Sequence, residues 1–452
     1  MVSGRIFNKE AFINMRNKFI RSCCLLACCS SAITYAACKD SFFSDTIKLE
    51  TSELFGAKIC SDRYDDSVTY GSSSAEDLIE QLDQNELRQR FPDFDENIDN
   101  VFIKGNFRGL PVLSAFTEKG SGKAGARLVF KVPSLGICEE WGDGTPNFCD
   151  TLNESGETRD ENKEKLKDYL KKEGSKILKE LTKVSAIDPV AGNPSSQQSQ
   201  TITDEFNAGT DHQYDVSTAK TPPNHIGFGA SFGRYSLGDK NVTAYTLPLS
   251  YTMQLSPRQE LIFRLPIAYT TVDGAKSYRV GVGLSYKQSV NKMWALTPSI
   301  SYGVAGSREL GTAAHSISTS LTSHFILPIS SSKYSVGIGN MIGYYQTLPF
   351  RIQDYDVDMD ISNTILRNGL SLSIPLGMKF MGQGLSVETF FVDTRFLGDE
   401  LFIEKYQEIG FSIGPRLKKD KATFSNQIGI GVQYLRAEGG DHAFRLNLGY
   451  QF

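Results

Sequence analysis

The sequence Phe-Arg-Leu-Asn-Leu-Gly-Tyr-Gln-Phe, residues 444–452, decides the fold of the chain. Successive side chains of an extended strand point to opposite faces, so this stretch has one apolar face and one polar face. The apolar face carries Phe444, Leu446, Leu448, Tyr450 and Phe452, and the polar face carries Arg445, Asn447, Gly449 and Gln451. A strand of this kind suits a sheet that meets lipid on its outer side and water on its inner side.

The same two-residue alternation recurs along the preceding half of the chain. In the clearest segment, Tyr278, Val280, Val282, Leu284 and Tyr286 alternate with polar or small residues. Tyrosines at both ends of an apolar face are typical of strands that place aromatic rings at two membrane interfaces. Similar segments centre near Phe228, Leu249, Phe263, Ile300, Leu321, Tyr344, Leu372, Phe391, Phe411 and Ile430. The alternation predicts a mainly β fold, with about twelve antiparallel strands in residues 224–452 closed as a transmembrane β-barrel.

Alternate connections between these strands differ in length. The short set comprises residues 256–259, 288–292, 330–333, 381–384 and 418–421, and the long set includes residues 306–313, 346–362 and 397–407. Bacterial barrels have short turns on the inner side of the membrane and longer loops outside. We therefore expect the long set to face away from the cell.

Residues 1–37 predict a secretory signal peptide. Arg16, Lys18 and Arg21 precede an apolar run over residues 23–35, and small residues follow at the end of that run. A lipoprotein signal ending at Cys28 is a weaker alternative, because the apolar run between Arg21 and that cysteine is very short.

Residues 38–156 predict a small exported α+β domain. Residues 101–107 and 127–132 have the composition of strands, and Ser73 to Glu76 resembles a capping box that opens a helix extending to about Phe91.

The cysteines of this domain predict disulfides. They are Cys38, Cys60, Cys138 and Cys149, and an even number in an exported domain favours disulfide bonds. We prefer the pairs Cys38 with Cys60 and Cys138 with Cys149, although the sequence leaves the connectivity open. A zinc site is less favoured, because the domain has neither a Cys-x-x-Cys motif nor a histidine.

Two segments join this domain to the barrel. Residues 157–187 predict an amphipathic helix, and residues 188–223, rich in Pro, Ser and Gln, predict a polar linker. A twelve-stranded barrel has a backbone diameter of roughly 25 Å. The inward positions are largely Gly, Ser, Thr and Ala, which would leave room for one α-helix of about 10–12 Å. We therefore expect either an aqueous channel or a sleeve around the helix or the linker.

This order of parts resembles that of an autotransporter, a family of bacterial outer-membrane β-barrel proteins. In that family the C-terminal barrel helps deliver the preceding domain across the outer membrane, and a helix stays in the pore. The resemblance implies contact with membrane lipid and lipopolysaccharide. It also implies that barrel-assembly machinery recognises the strand from Phe444 to Phe452. The chain departs from the family in its short N-terminal domain, which lacks repeats, and in its compact barrel.

Three functions follow as hypotheses. The first is an outer-membrane translocator of autotransporter type, with the N-terminal domain periplasmic or at the cell surface. The alternative is a secretion channel or small-solute pore gated by a periplasmic N-terminal domain or a helix plug. The sequence leaves the cargo or solute and the oligomeric state open.

The third and remote hypothesis is an outer-membrane lipid hydrolase. Its only support is a cluster of five residues, His315, Ser316, Ser318, Ser323 and His324, and no His-x-Ser-Asn motif follows it. We therefore expect that the protein is not an enzyme. We also expect it to have no catalytic, cofactor-binding or metal-binding residues and no cofactor. A net charge of -4 and a pI near 5.9 give no basic patch, which argues against a nucleic-acid partner.

Overall fold

The structure is a computed structural model. It describes residues 54–61, 67–72, 74, 89, 101–117, 127–142, 148–154, 159–210, 224–329, 334–352, 355–380, 383–415 and 429–449. The chain divides into two compact units, one made largely of residues up to Lys167 and one made largely of residues from Asp168 onward. The predicted signal peptide lies outside the described residues.

The first unit is built on a six-stranded sheet. Its strands are β1 (Phe55–Ser61), β2 (Ser67–Ser72), β3 (Val101–Phe107), β4 (Leu110–Thr117), β5 (Arg127–Val132) and β6 (Ile137–Trp141). They lie in the order β2-β1-β3-β4-β5-β6, and Phe102, Leu113, Ala115 and Val129 form a buried apolar cluster on the sheet. Strands β3 and β5 have the bounds that the sequence predicted. The helix predicted after Ser73 falls almost entirely outside the described residues.

A disulfide bond and a buried carboxylate organise the end of this sheet. Cys138 and Cys149 are bonded to each other, which confirms that predicted pair. Glu140 lies between them in sequence, is fully buried, forms an ion pair with Arg127 and accepts hydrogen bonds from the backbone N–H groups of Phe148 and Cys149. Cys60 is also disulfide-bonded. Its predicted partner, Cys38, lies outside the described residues.

Two helices follow the sheet in the sequence and precede the barrel strands. Helix α1 spans Arg159–Val184 and helix α2 spans Gln197–Thr210. The position of α2 corrects the prediction of a polar linker over residues 188–223, because an ordered and largely buried turn and helix occupy residues 188–210. The remainder of that predicted linker, residues 211–223, lies outside the described residues.

The barrel strands run from residue 225 to residue 448. They are β7 (His225–Phe228), β8 (Ala230–Leu237), β9 (Lys240–Ser256), β10 (Gln259–Val272), β11 (Ala275–Ser289), β12 (Trp294–Ser307), β13 (Thr312–Pro328), β14 (Ser335–Leu348), β17 (Ser362–Phe380), β18 (Gln383–Gly398), β19 (Lys405–Pro415), β20 (Ile430–Ala437) and β21 (His442–Leu448). A small hairpin, β15 (Phe350–Ile352) with β16 (Tyr355–Val357), interrupts the series.

These strands form a closed ring. Each strand from β8 to β20 pairs antiparallel with the next barrel strand, and β21 pairs with β8. Strand β7 pairs with β9 in line with β8, so the two short strands act as one position in the ring. The ring therefore has twelve strands, which confirms the predicted closed antiparallel barrel.

The outer surface of the ring is apolar and exposed. On β11, Tyr278, Val280, Val282 and Leu284 point outward, and Val282 is 53% exposed. On β21, Phe444 is 61% exposed, while Arg445 and Asn447 are buried inside the ring. A closed ring with an apolar exterior and a polar interior is the arrangement of outer-membrane barrels, because hydrocarbon cannot satisfy a free strand edge. Tyr450 and Phe452, from the predicted assembly signal, lie outside the described residues.

In the described part of the chain, neither helix combines the length and the apolar character that crossing a bilayer requires.

The two ends of the barrel differ in their connections. One end, here called the short-turn end, carries the connections at residues 257–258 and 290–293. The other end, here called the long-loop mouth, carries short turns at residues 238–239 and 273–274 together with the connections at residues 308–311, 349–361 and 399–404. The orientation in which the long-loop mouth faces outside the cell stays a prediction, and the predicted turns at residues 330–333 and 418–421 lie outside the described residues.

We expect Val282→Arg to destabilise the barrel by about 2–4 kcal/mol, because it places a charge on the lipid face between the two tyrosines of β11. The matched control is Thr271→Arg, on the outward face of β10 next to a turn, where the expected cost is only about 0–1 kcal/mol. Guanidinium unfolding in lipid vesicles measures both. Equal costs at the two positions would show that the apolar band does not lie where the tyrosines place it.

Candidate functional site

Helix α2 lies inside the barrel, against the inner faces of β11, β12, β13 and β14. Gln197, at its first turn, donates from Nε2 to Ser316 Oγ at 2.8 Å, close to the long-loop mouth. Thr210, at its last turn, lies against Gly339, close to the short-turn end. The helix therefore follows the lumen from the mouth towards the short-turn end.

The buried face of α2 is polar along most of its length. Gln197, Gln198, Ser199, Gln200, Thr203 and Glu205 are all buried, and Ile202 and Phe206 are its large buried apolar side chains. Gln198 donates from Nε2 to Asn363 Oδ1 on β17 at 2.7 Å. A buried amide needs such a partner, because leaving it unpaired costs about 1–3 kcal/mol. The wall of the barrel thus supplies an acceptor to the amide nitrogens of Gln197 and Gln198, while their Oε1 atoms have no hydrogen-bond partner among the described residues.

Glu205 is the most extensively bonded carboxylate of α2. It is fully buried, and its Oε1 accepts hydrogen bonds from Ser301 Oγ at 2.7 Å and from Ser318 Oγ at 2.5 Å. Ser301 in turn accepts a hydrogen bond from Arg264 Nη2 at 3.1 Å. The Ser301 hydroxyl therefore links the Glu205 carboxylate to the Arg264 guanidinium.

The neighbouring acid, Asp204, faces a second arginine. Its Oδ2 lies 3.7 Å from Arg279 Nη1, and the charges of Arg264 and Arg445 also act on it. The two consecutive acids of α2 thus face basic side chains that project from β10, β11 and β21.

The Phe206 ring of α2 packs against inward glycines of the barrel wall. A Cβ added to Gly339 or to Gly369 would lie 3.0 or 2.9 Å from an atom of the Phe206 ring, closer than most real Cβ contacts. The guanidinium of Arg367 lies 5.1 Å from the centroid of the same ring, in cation–π range. The small inward residues of the barrel therefore leave the space that this ring occupies.

A buried turn precedes α2 at the long-loop mouth. Asp188 accepts a hydrogen bond from Val190 N–H at 2.9 Å and forms a fully buried ion pair with Arg108, also at 2.9 Å. Gly192 has a positive φ of 88°, and an added Cβ would lie 2.3 Å from the Thr182 carbonyl oxygen, so only glycine fits there. Ile403 N–H, in the loop between β18 and β19, donates to the Gly192 carbonyl at 3.0 Å.

The C-terminal half of α1 is bound to the same long loops. Lys179 Nζ lies 2.9 Å from Asp399 Oδ1, and Lys183 Nζ lies 3.5 Å from Glu400 Oε2. Asp358 N–H donates to Ser175 Oγ at 2.8 Å. These contacts hold α1 at the mouth by charge and hydrogen bonds.

The ion pairs of α1 shift the pKa values of two groups outside the membrane. Partial burial acts to raise the pKa of Asp399, but hydrogen bonds from Lys179 and Ser362 outweigh it, so the pKa lies below its ordinary value. Partial burial acts to lower the pKa of Lys183, but its bond to Glu180 and the charge of Glu400 leave the pKa raised. Both shifts favour the charged forms that make the ion pairs.

The serine and histidine residues considered for catalysis do not share one face of the barrel. His315 points outward, where it bonds Tyr302 and stacks on Phe350, and Ser323 accepts a hydrogen bond from Trp294 on that outer side. Ser316, Ser318 and His324 point into the lumen, where Ser316 and Ser318 bond α2. No group of three or more His, Cys, Asp or Glu side chains suited to a metal occurs among the described residues.

The sequence did not single out Asp204, Glu205 or Phe206. The available signal was the spacing of Ile202 and Phe206, four residues apart in a segment that is otherwise polar. That spacing puts both on one helix face, but the surrounding Gln, Ser and Thr residues are equally typical of a linker.

No family model and no curated protein matches the chain. Among solved structures, the β domain of the Bordetella autotransporter BrkA is 13% identical, with 51% of this chain and 99% of that chain covered and a TM-score of 0.36. The translocator domain of autotransporter NalP from Neisseria meningitidis is 12% identical, with coverages of 56% and 95% and a TM-score of 0.36. LpxR from Salmonella typhimurium is 11% identical, with coverages of 50% and 100% and a TM-score of 0.34.

We expect Glu205→Ala to loosen α2 in the lumen, because Ser301, Ser318 and Arg264 lose the acceptor that ends their hydrogen-bond chain. The expected loss is about 1–3 kcal/mol in the local opening free energy of the helix. Amide hydrogen exchange over residues 197–210 in detergent measures it. Glu205→Gln, which keeps an acceptor oxygen, is the control and should lose less. An unchanged exchange rate in the alanine variant would mean that these bonds do not retain the helix.

We expect the contact between α1 and the long loops to weaken in acid. Because the pKa of Asp399 is depressed in the folded protein, its contribution is present above its ordinary pKa and is lost as the pH falls through the folded value. Hydrogen exchange over residues 168–184 should therefore accelerate below about pH 4, beyond the intrinsic pH dependence of exchange. In Asp399→Asn the contact should be weak already at neutral pH, and the additional acid response should be reduced. An identical acid response in that variant would contradict the assignment.

Proposed function

We propose that this outer-membrane barrel is a translocator of autotransporter type, which places the N-terminal domain on the outer side of the membrane. The observation that carries the proposal is the course of the chain through the barrel. The buried turn enters at the long-loop mouth, α2 follows the lumen, and β7 begins beside β9 next to the short-turn end.

This course gives the chain one passage through the lumen. His225 pairs with Thr252, four residues before the end of β9 and the turn at residues 257–258. The segment ahead of α2 is bound to residues 358–360 and 399–403 of the long loops. If the long-loop mouth faces outside, as in bacterial barrels, the chain that precedes α2 starts outside the membrane.

The polar side chains of α2 support the proposal that this segment reached the lumen through water and not through lipid. A helix with buried Gln, Ser, Thr and Glu side chains could not lie in hydrocarbon, where each unpaired polar group costs several kcal/mol. The barrel shields it from lipid and supplies hydrogen-bond partners to Gln197, Gln198 and Glu205. This is the arrangement expected when the last part of an exported chain remains in the pore.

The proposal includes three expectations from the sequence. The outward apolar face contacts membrane lipid and lipopolysaccharide, barrel-assembly machinery recognises the strand from Phe444 to Phe452, and the protein performs no catalysis. The competing function is a channel gated by α2 with its N-terminal domain in the periplasm. It differs from the translocator in the side of the membrane on which the N-terminal domain lies.

Labelling of single introduced cysteines with a membrane-impermeant maleimide on intact cells separates the two functions. Glu164→Cys reports on the exposed start of α1, Glu400→Cys on the long-loop mouth, and Arg258→Cys on the short-turn end. For a translocator we expect Glu164→Cys and Glu400→Cys to be labelled on intact cells. Arg258→Cys should be labelled only after the outer membrane is permeabilised.

The two control positions fix the orientation independently of the N-terminal domain. Labelling of Glu164→Cys only after permeabilisation, together with surface labelling of Glu400→Cys, would overturn the translocator and favour the gated channel. Each variant must migrate as a folded, heat-modifiable barrel before its labelling is scored.

A further inference from the structure

The charges that point into the lumen are not balanced within the barrel wall. In the described strands the inward basic residues are Lys240, Arg264, Arg279, Lys287, Arg367 and Arg445, and the inward acidic residues are Glu260, Glu388 and Glu408. The wall therefore has an excess of positive charge.

Part of this charge is paired within the wall. Glu408 lies 2.5 Å from Arg367 and 3.5 Å from Arg445, and Glu260 on β10 is in register with Lys287 on β11. Arg264 and Arg279 form no ion pair with a wall carboxylate among the described residues. They lie on the adjacent strands β10 and β11 and make a short basic stripe along one side of the lumen.

Helix α2 supplies the missing negative charge. Asp204 faces Arg279, and Glu205 connects to Arg264 through Ser301. Both arginines are less than one-tenth exposed, and Arg264 Nε, Arg279 Nε and Arg279 Nη2 have no hydrogen-bond partner among the described residues. A buried guanidinium keeps its charge at any physiological pH, so it requires a counter-charge.

We propose that the lumen without α2 in place is an anion-selective path, in which Arg264 and Arg279 bind small inorganic anions such as chloride. This inference rests on the proposed function, since it describes the same barrel before α2 occupies it. When α2 occupies the lumen, the carboxylates of Asp204 and Glu205 replace the small anion as the counter-charge of the two arginines. A lumen with a basic wall and apolar surroundings concentrates anions, because low-dielectric walls focus the field.

The first test uses the full chain with residues 197–210 replaced by a Gly-Ser segment of equal length, in planar bilayers under a potassium chloride gradient. We expect larger currents than for the natural chain, with a ratio of chloride to potassium permeability well above one. Adding Arg264→Gln and Arg279→Gln should bring that ratio close to one. Cation selectivity, an unchanged ratio in the arginine variant, or no increase in current would each overturn the inference.

The second test keeps α2 in place. In the full chain with Asp204→Asn and Glu205→Gln the two arginines lose their counter-charges. We therefore expect the thermal unfolding midpoint of this variant to rise when sodium chloride replaces sodium gluconate at equal ionic strength. The natural chain should respond less. An equal response in both would overturn the inference.

The outcomes of these two tests are independent of whether the proposed function is correct. Neither the permeability ratio nor the chloride response depends on the side of the membrane on which the N-terminal domain lies, and the cysteine labelling does not depend on ion selectivity. A barrel that conducts without preferring anions, with Glu164→Cys labelled from outside, would remove this inference and leave the translocator in place.

Discussion

The structure depends on the pairing of β8 with β21. Hydrocarbon offers no hydrogen bonds, so a sheet can cross a membrane only if its first and last strands satisfy each other. The pairing runs from Ala230 opposite Leu448 to Ser236 opposite His442. Once the ring is closed, its strands have one side facing lipid and one side facing an enclosed space. The two-residue alternation of the sequence then becomes a separation between an apolar exterior and a polar interior.

The enclosed space explains features of the chain that would be unfavourable elsewhere. Arg264, Arg279, Glu205 and Glu408 are buried charges, and a buried charge is costly unless it is paired. The lumen brings groups from distant parts of the sequence close enough to pair, as when Glu205 meets Ser301 and Ser318. The inward glycines have a similar explanation at Gly339 and Gly369, where the Phe206 ring occupies the room that side chains would fill.

The sequence predicted the barrel more completely than the contents of its lumen. Strand periodicity is a local property, so segments such as residues 278–286 could be identified one at a time, and their number then predicted the closed ring. The pairing of Cys138 with Cys149 was also accessible, because the two cysteines are close in sequence. Helix α2 was not accessible in this way. Its Gln, Ser and Thr residues are typical of a solvated linker, and the wall residues that bind them, such as Ser316 and Asn363, are more than a hundred positions away.

The polar character of α2 also limits how firmly it is held. Apolar burial is roughly proportional to area, and Ile202 and Phe206 are the large apolar side chains that the helix buries. Its other contacts exchange hydrogen bonds with water for hydrogen bonds with the wall, which contributes only about 0.5–1.5 kcal/mol each. A helix held mainly in this way fits the lumen specifically, because Asp204, Glu205 and Gln197 each have a designated partner, and yet it can leave at a modest cost. A segment that first has to pass through a barrel and then stay in it requires both properties.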